Sequence, residues 1–211
     1  MENEKYLQDI SEIRNMMNRS SRFISLSGLS GVFAGIYAII GAILAKIILP
    51  EERIYTNYNN AISMITNEEM ILKLFLIAGS VLIFAIGTAI FLTTRKAKRN
   101  NQKILDKTGQ RLLINFFAPL LAGGLFCLVL IQYNAVGLLA PAMLIFYGLS
   151  LINASKYTFD DLKSLGYANI VLGLIASQFI GYGIYFWAIG FGVFHIIYGI
   201  WMYNKHDRKS A

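Results

Sequence analysis

Few side chains in this sequence can do chemistry, and of its histidines, cysteine and acidic residues only His195 and Cys127 lie within long apolar runs. Among 211 residues there are two histidines, one cysteine and twelve acidic residues. His195 sits near the middle of Trp187-Ala-Ile-Gly-Phe-Gly-Val-Phe-His-Ile-Ile-Tyr-Gly-Ile-Trp-Met-Tyr203, an apolar run long enough to cross a bilayer. An ionisable side chain at that depth marks a functional site by default. The imidazole there is expected to be uncharged and hydrogen-bonded, because a lone charge at mid-bilayer costs at least ~2.5–3.5 kcal/mol. Two readings stay open. One is a packing histidine bonded to a carbonyl, Ser, Asn or Tyr. The other is a site for a proton, a metal or a haem.

The remaining candidates are weaker. Cys127 is the only cysteine, so no internal disulfide and no CxxC motif exists. Asp160-Asp161 could meet a cation, but no third oxygen ligand stands nearby in sequence, and charges at the start of a helix capped by Thr158 are the simpler reading. Arg95-Lys-Ala-Lys-Arg99, with Lys103, Lys107 and Arg111, is the densest charge. It can hold anionic headgroups or anchor the topology. Nucleic acid is not expected, since no aromatic residues interleave with it. No Ser/His/Asp, HExxH or GxSxG pattern appears and no acidic residue lies within a predicted span, so no enzyme, no cofactor and no metal are expected.

The elements that must position these groups are helices in lipid. The chain is 56% hydrophobic and 15% charged, where soluble domains carry about 25% charged residues. The fold class expected is all-α and polytopic, with six transmembrane helices arranged as three helical hairpins behind an N-terminal amphipathic helix. Residues 1–22 form that amphipathic helix, with Tyr6, Ile10, Ile13 and Met17 on one face. The transmembrane domain covers 23–204, with spans at about 23–49, 70–94, 112–131, 135–154, 165–180 and 184–203. A basic tail fills 205–211. A short interfacial helix is plausible around Ile54 to Ile65, and Thr66 to Glu69 reads as a capping box. Pro119 is expected to kink the third span.

Small residues choose the helix contacts. Gly31 and Gly35 form a GxxxG pair in span one, and Ala188, Gly192, His195 and Gly199 fall on one face of span six. His195 is therefore expected against a neighbouring helix. The span-one face serves either packing within one chain or a homodimer. Spans two, four and six share a glycine-then-basic ending, Gly87 to Arg95, Gly148 to Lys156 and Gly199 to Lys205, which suggests a repeated hairpin.

Lys and Arg sort by side. The N-terminal segment, the cluster from Arg95 to Arg111, Lys156, Lys163 and the tail share one side; Arg53, with Lys46 and Lys73 at its margin, lies on the other. The positive-inside rule then puts both termini in the cytoplasm, in a multi-pass protein of the cell inner (plasma) membrane.

Gly190-Phe-Gly-Val-Phe-His-Ile-Ile-Tyr-Gly199 and Leu26-Ser-Gly-Leu-Ser-Gly-Val-Phe-Ala-Gly-Ile-Tyr37 resemble segments of uncharacterised small six-helix integral membrane proteins of bacteria. The hairpin layout is also similar, in architecture only, to the acid-resistance membrane protein family. The resemblance implies the six-helix fold and carries over no site residue. The function expected is non-enzymatic: an accessory, regulatory or assembly role, with the lipid bilayer and a homo-oligomer or a membrane-protein partner around it. The alternative is a small-solute or proton-coupled transporter or channel using His195 in the bundle core.

Overall fold

The computed structural model describes residues 6, 26–49, 68–99 and 106–208. Of the helix expected over 1–22 only Tyr6 falls among them. The expected interfacial helix near Ile54, the Thr66 cap and the end of the basic tail lie outside.

The described residues form helices and no strand. In chain order these are α1 (Gly28–Ile48), α2 (Glu68–Arg99), α3 (Lys107–Gln132), α4 (Leu139–Ser155, entered through a short turn at Val136–Leu138), α5 (Leu162–Ala176) and α6 (Gly183–Asp207). Five of them are long and apolar enough to cross a membrane; α5 is shorter, with 15 residues. This is the architecture of an all-α membrane protein.

Several helices outrun their apolar cores. Helix α2 continues through the basic cluster to Arg99, because Arg, Lys and Ala are strong helix formers and cations suit a helix C-terminus. Helix α3 starts at Lys107, where the Asp106 carboxylate accepts from the Gly109 N–H at 2.6 Å. The turn into α4 places Asn134 in the left-handed region at φ 55°, which Asn tolerates better than most residues.

Helix α3 also runs through Pro119. A proline has no N–H, so the carbonyl four residues earlier, on Asn115, loses its helical donor. Asn153 on α4 replaces it, with Nδ2 3.1 Å from the Asn115 oxygen. Asn153 thus mends the backbone, while the Asn115 side chain donates to the Arg111 carbonyl of its own helix at 2.8 Å.

Two antiparallel pairs, α1 with α6 and α4 with α5, meet backbone to backbone through one repeated device. Gly35 and Ile39 oppose Gly192 and Ile196; Gly148 and Ile152 oppose Gly166 and Ile170. A Cβ on Gly35 would stand 2.6 Å from the Gly192 carbonyl oxygen and 2.7 Å from Ile196 Cγ1. A Cβ on Gly148 would stand 2.5 Å from the Gly166 oxygen and 2.7 Å from Ile170 Cγ1. Each glycine opens a slot that the partner's glycine carbonyl and the next-turn isoleucine fill, which is how helices gain contact in lipid. Gly31 meets the Gly199 Cα, and Gly199 meets Val32 and the Gly28 carbonyl. The small face of α1 is thus filled by α6 of the same chain.

Helix α2 packs on α1, and α3 on α4. Of the three expected hairpins, α1–α2 and α3–α4 are close pairs. Helices α5 and α6 touch each other little; α5 lies along α4 and α6 along α1. The small-residue pairs decide this, since apolar surface alone favours no partner in lipid.

Candidate functional site

The site lies where α6 is wedged between α1 and α4. Helix α6 leaves α geometry over Ala188–Val193, where the turn widens and the Phe194 N–H reaches back to the Ile189 carbonyl. Widened turns of this kind are frequent at functional sites, and α6 widens again at Tyr203–Asp207. Nδ1 of His195 lies 2.9 Å from the Gly190 carbonyl oxygen. A carbonyl only accepts, so Nδ1 carries the hydrogen. The neutral ring then offers the lone pair of Nε2, and the Tyr147 hydroxyl of α4, 2.6 Å away, donates to it. Phe191 stacks on the imidazole at 6.2 Å between ring centres, and Tyr147 lies 5.3 Å away on the same measure. His195 is buried, with 7% of its surface exposed.

Helix α5 supplies Asn169, which is fully buried. Its Nδ2 donates to the Leu165 carbonyl at 2.9 Å. Its Oδ1 has no hydrogen-bond partner among the described residues. That oxygen lies 2.7 Å from where a Cβ on Gly190 would stand, so the missing side chain at 190 makes its room. One turn beyond His195, the Tyr198 hydroxyl is likewise buried and unpartnered among the described residues. Tyr147 and Tyr198 pack against the same cluster of Leu151, Ala154, Leu162 and Leu165.

His195 sits at a close helix contact with polar partners. It does not share a neighbour with its face-mates: Gly192 and Gly199 touch α1, whereas the imidazole turns to α4. Tyr147 was not singled out by the sequence, though Tyr147-Gly148 repeats Tyr198-Gly199 and that echo was the available signal. Gly123 meets Phe146, but Gly124 has nothing within 4 Å and makes no close approach. Helix α5 begins at Leu162 with Asp161, not Thr158, at its cap position.

Two ion clusters close the end of the bundle below the site. Asp207 accepts from Lys96 Nζ at 2.5 Å and from the first N–H of α1, Gly28, at 3.0 Å; Lys96 also donates to the Leu26 carbonyl at 2.8 Å. Asp161 does not meet a cation from solution: Lys205 Nζ lies 2.8 Å away and His206 Nε2 3.1 Å away. Burial alone would raise the Asp161 carboxyl, but the hydrogen bonds and charges of Lys205 and His206 outweigh it and hold the group below 3.8. A carboxyl lowered by folding adds stability above its unfolded value and loses it as pH falls through the lower folded value. Wild type is therefore expected to exceed Asp161→Asn in stability at neutral pH by roughly 0.5–1 kcal/mol. The gap should close in detergent melts as pH falls below the unfolded carboxyl value and through the lower folded one, because protonation then mimics the variant. A constant gap would show that the ion pairs carry none of it.

Among the described residues no three His, Cys, Asp or Glu side chains gather to hold a metal ion. The lone pair that the neutral imidazole keeps, on Nε2, is taken by the Tyr147 hydroxyl. No family model, curated protein or solved structure matches the chain.

Proposed function

We propose that the protein is a non-enzymatic integral membrane protein with an accessory, regulatory or assembly role toward another membrane component. The backbone-level interlock of α1 with α6 and of α4 with α5 carries this reading. It commits four helices to one another through unyielding contacts, which suits a fixed scaffold better than a rocking one. Helix α2 touches chiefly α1 and leaves Ile83, Phe84 and Phe91 more than three-fifths exposed toward lipid or a partner helix. The topology that goes with it has six spans, both termini cytoplasmic, in an inner (plasma) membrane. Helix α5, at ~1.5 Å per residue, covers about 22 Å and completes its crossing with its flanking turns. The kinship with small six-helix bacterial membrane proteins belongs to the same proposal.

A second reading, proton-coupled transport, is favoured by the buried Tyr147–His195 pair. Two experiments separate and test the readings. In a Cys127→Ser background, Tyr133→Cys is expected to react with an impermeant maleimide on intact cells, and Lys163→Cys only after permeabilisation. The reverse pattern overturns the orientation. A photo-crosslinker at Ile83 is expected to join one membrane protein specifically, while liposomes carrying the purified protein hold a pH gradient as well as empty ones. A collapsing gradient with no adduct would replace the accessory role by transport.

A further inference from the structure

Hydrogen bonding around His195 is complete for one protonation state and prepared for another. In the neutral state Nδ1–H donates to the Gly190 carbonyl and Tyr147 O–H donates to Nε2. A proton arriving at Nε2 leaves the first bond intact and reverses the second. Nε2–H then donates to the Tyr147 oxygen. The phenol keeps its own proton, which must turn from Nε2 to a new acceptor. In an ordinary apolar core that acceptor would be missing, and the hydroxyl would be left buried and unpaired.

Two buried oxygens in this part of the bundle are unused among the described residues. The Tyr198 hydroxyl is buried, unpartnered among the described residues and seated on the same cluster as Tyr147. The Asn169 Oδ1 beside Gly190 is a second unused acceptor, on a side chain with no exposed surface. Buried polar atoms left unmatched in a native core call for a partner, and a bound water is the usual one.

We infer that His195, Tyr147, Tyr198 and Asn169 form a hydrated proton-binding site. One proton is taken up on Nε2, the Tyr147–His195 bond changes direction, and water held by Tyr198 and Asn169 receives the re-aimed phenol. Only an N–H bond forms, and nothing is oxidised or reduced. Around the imidazole α4 brings Tyr147 and α6 brings Phe191, while α5 brings the neutral Asn169 to the Gly190 that His195 bonds. Asp161 is paired with Lys205 and His206. On α1, Tyr37 turns to Thr88 and Lys46 to Tyr185, so neither opposes the added charge. The site goes beyond the accessory role proposed above and would give such a protein a response to pH.

The test is a pH titration of the full chain in lipid nanodiscs, read by nitrogen NMR of labelled histidine. His206→Gln assigns the two signals. His195 is expected to show the Nδ1–H form when neutral and to convert to imidazolium on acidification while the fold persists. Tyr198→Phe, which removes one oxygen only, is expected to weaken proton affinity about three- to ten-fold, the worth of one hydrogen bond. Its melting temperature at neutral pH should stay level or fall, because the hydroxyl is hydrated. His195 remaining neutral at every pH the fold survives would overturn the site. So would a Tyr198→Phe protein that titrates like wild type and melts higher, since that is how an idle, unpaired hydroxyl behaves.

Discussion

Gly35→Ala should cost about 3 kcal/mol, the upper end of the range for overpacked cores, while Gly31→Ala one turn earlier costs far less. The methyl at position 35 would enter space held by the Gly192 carbonyl oxygen at 2.6 Å and the Ile196 N–H at 3.0 Å. Both are backbone atoms of a helix and cannot swing aside. At position 31 the nearest atom is the Gly199 Cα at 3.3 Å, and a shift of a few tenths of an ångström relieves the contact. Gly79 and Gly87 on α2 have nothing within 4 Å, so alanine there should gain up to ~1 kcal/mol of helix propensity. Gly148→Ala should behave like Gly35→Ala, since the α4–α5 pair is built the same way. Unfolding in detergent ranks the five variants. Equal melting of Gly35→Ala and Gly79→Ala would mean that α1 and α6 do not meet as described.

Lys96→Met should destabilise the fold by about 3 kcal/mol, because it leaves a charged Asp207 with too few partners in a site that excludes most water. The two side chains keep only 15% and 11% of their surface. Their pair ties three remote pieces together: the C-terminus of α2, the start of α1 and the end of α6. Asp207→Asn should cost a similar amount, since it strands the ammonium group while keeping an acceptor for the Gly28 N–H. Removing both charges, in Lys96→Met with Asp207→Leu, should recover part of the loss, because no uncompensated charge remains. A double-mutant cycle measures the coupling. Single losses within ~0.5 kcal/mol would reclassify the pair as an ordinary surface contact.

These two clusters show how far residue order alone could reach. Apolar run length identified the membrane helices, since the cost of unpaired backbone in lipid leaves little choice of structure. Helical spacing placed Gly31, Gly35, Gly192 and Gly199 at close contacts and His195 beside them, because which residues share a face is a local property of one helix. Partner choice is not local. Glycine reports that another backbone comes near, and it does not report whose. Only the folded chain set α6 against α1 instead of α5, turned His195 to Tyr147, lent Asn153 to the carbonyl freed by Pro119, and brought Asp207 to cap a helix that begins 179 residues earlier. Apolar helices in lipid are nearly interchangeable as neighbours, so shape and a few buried hydrogen bonds decide among them, and those are settled in three dimensions.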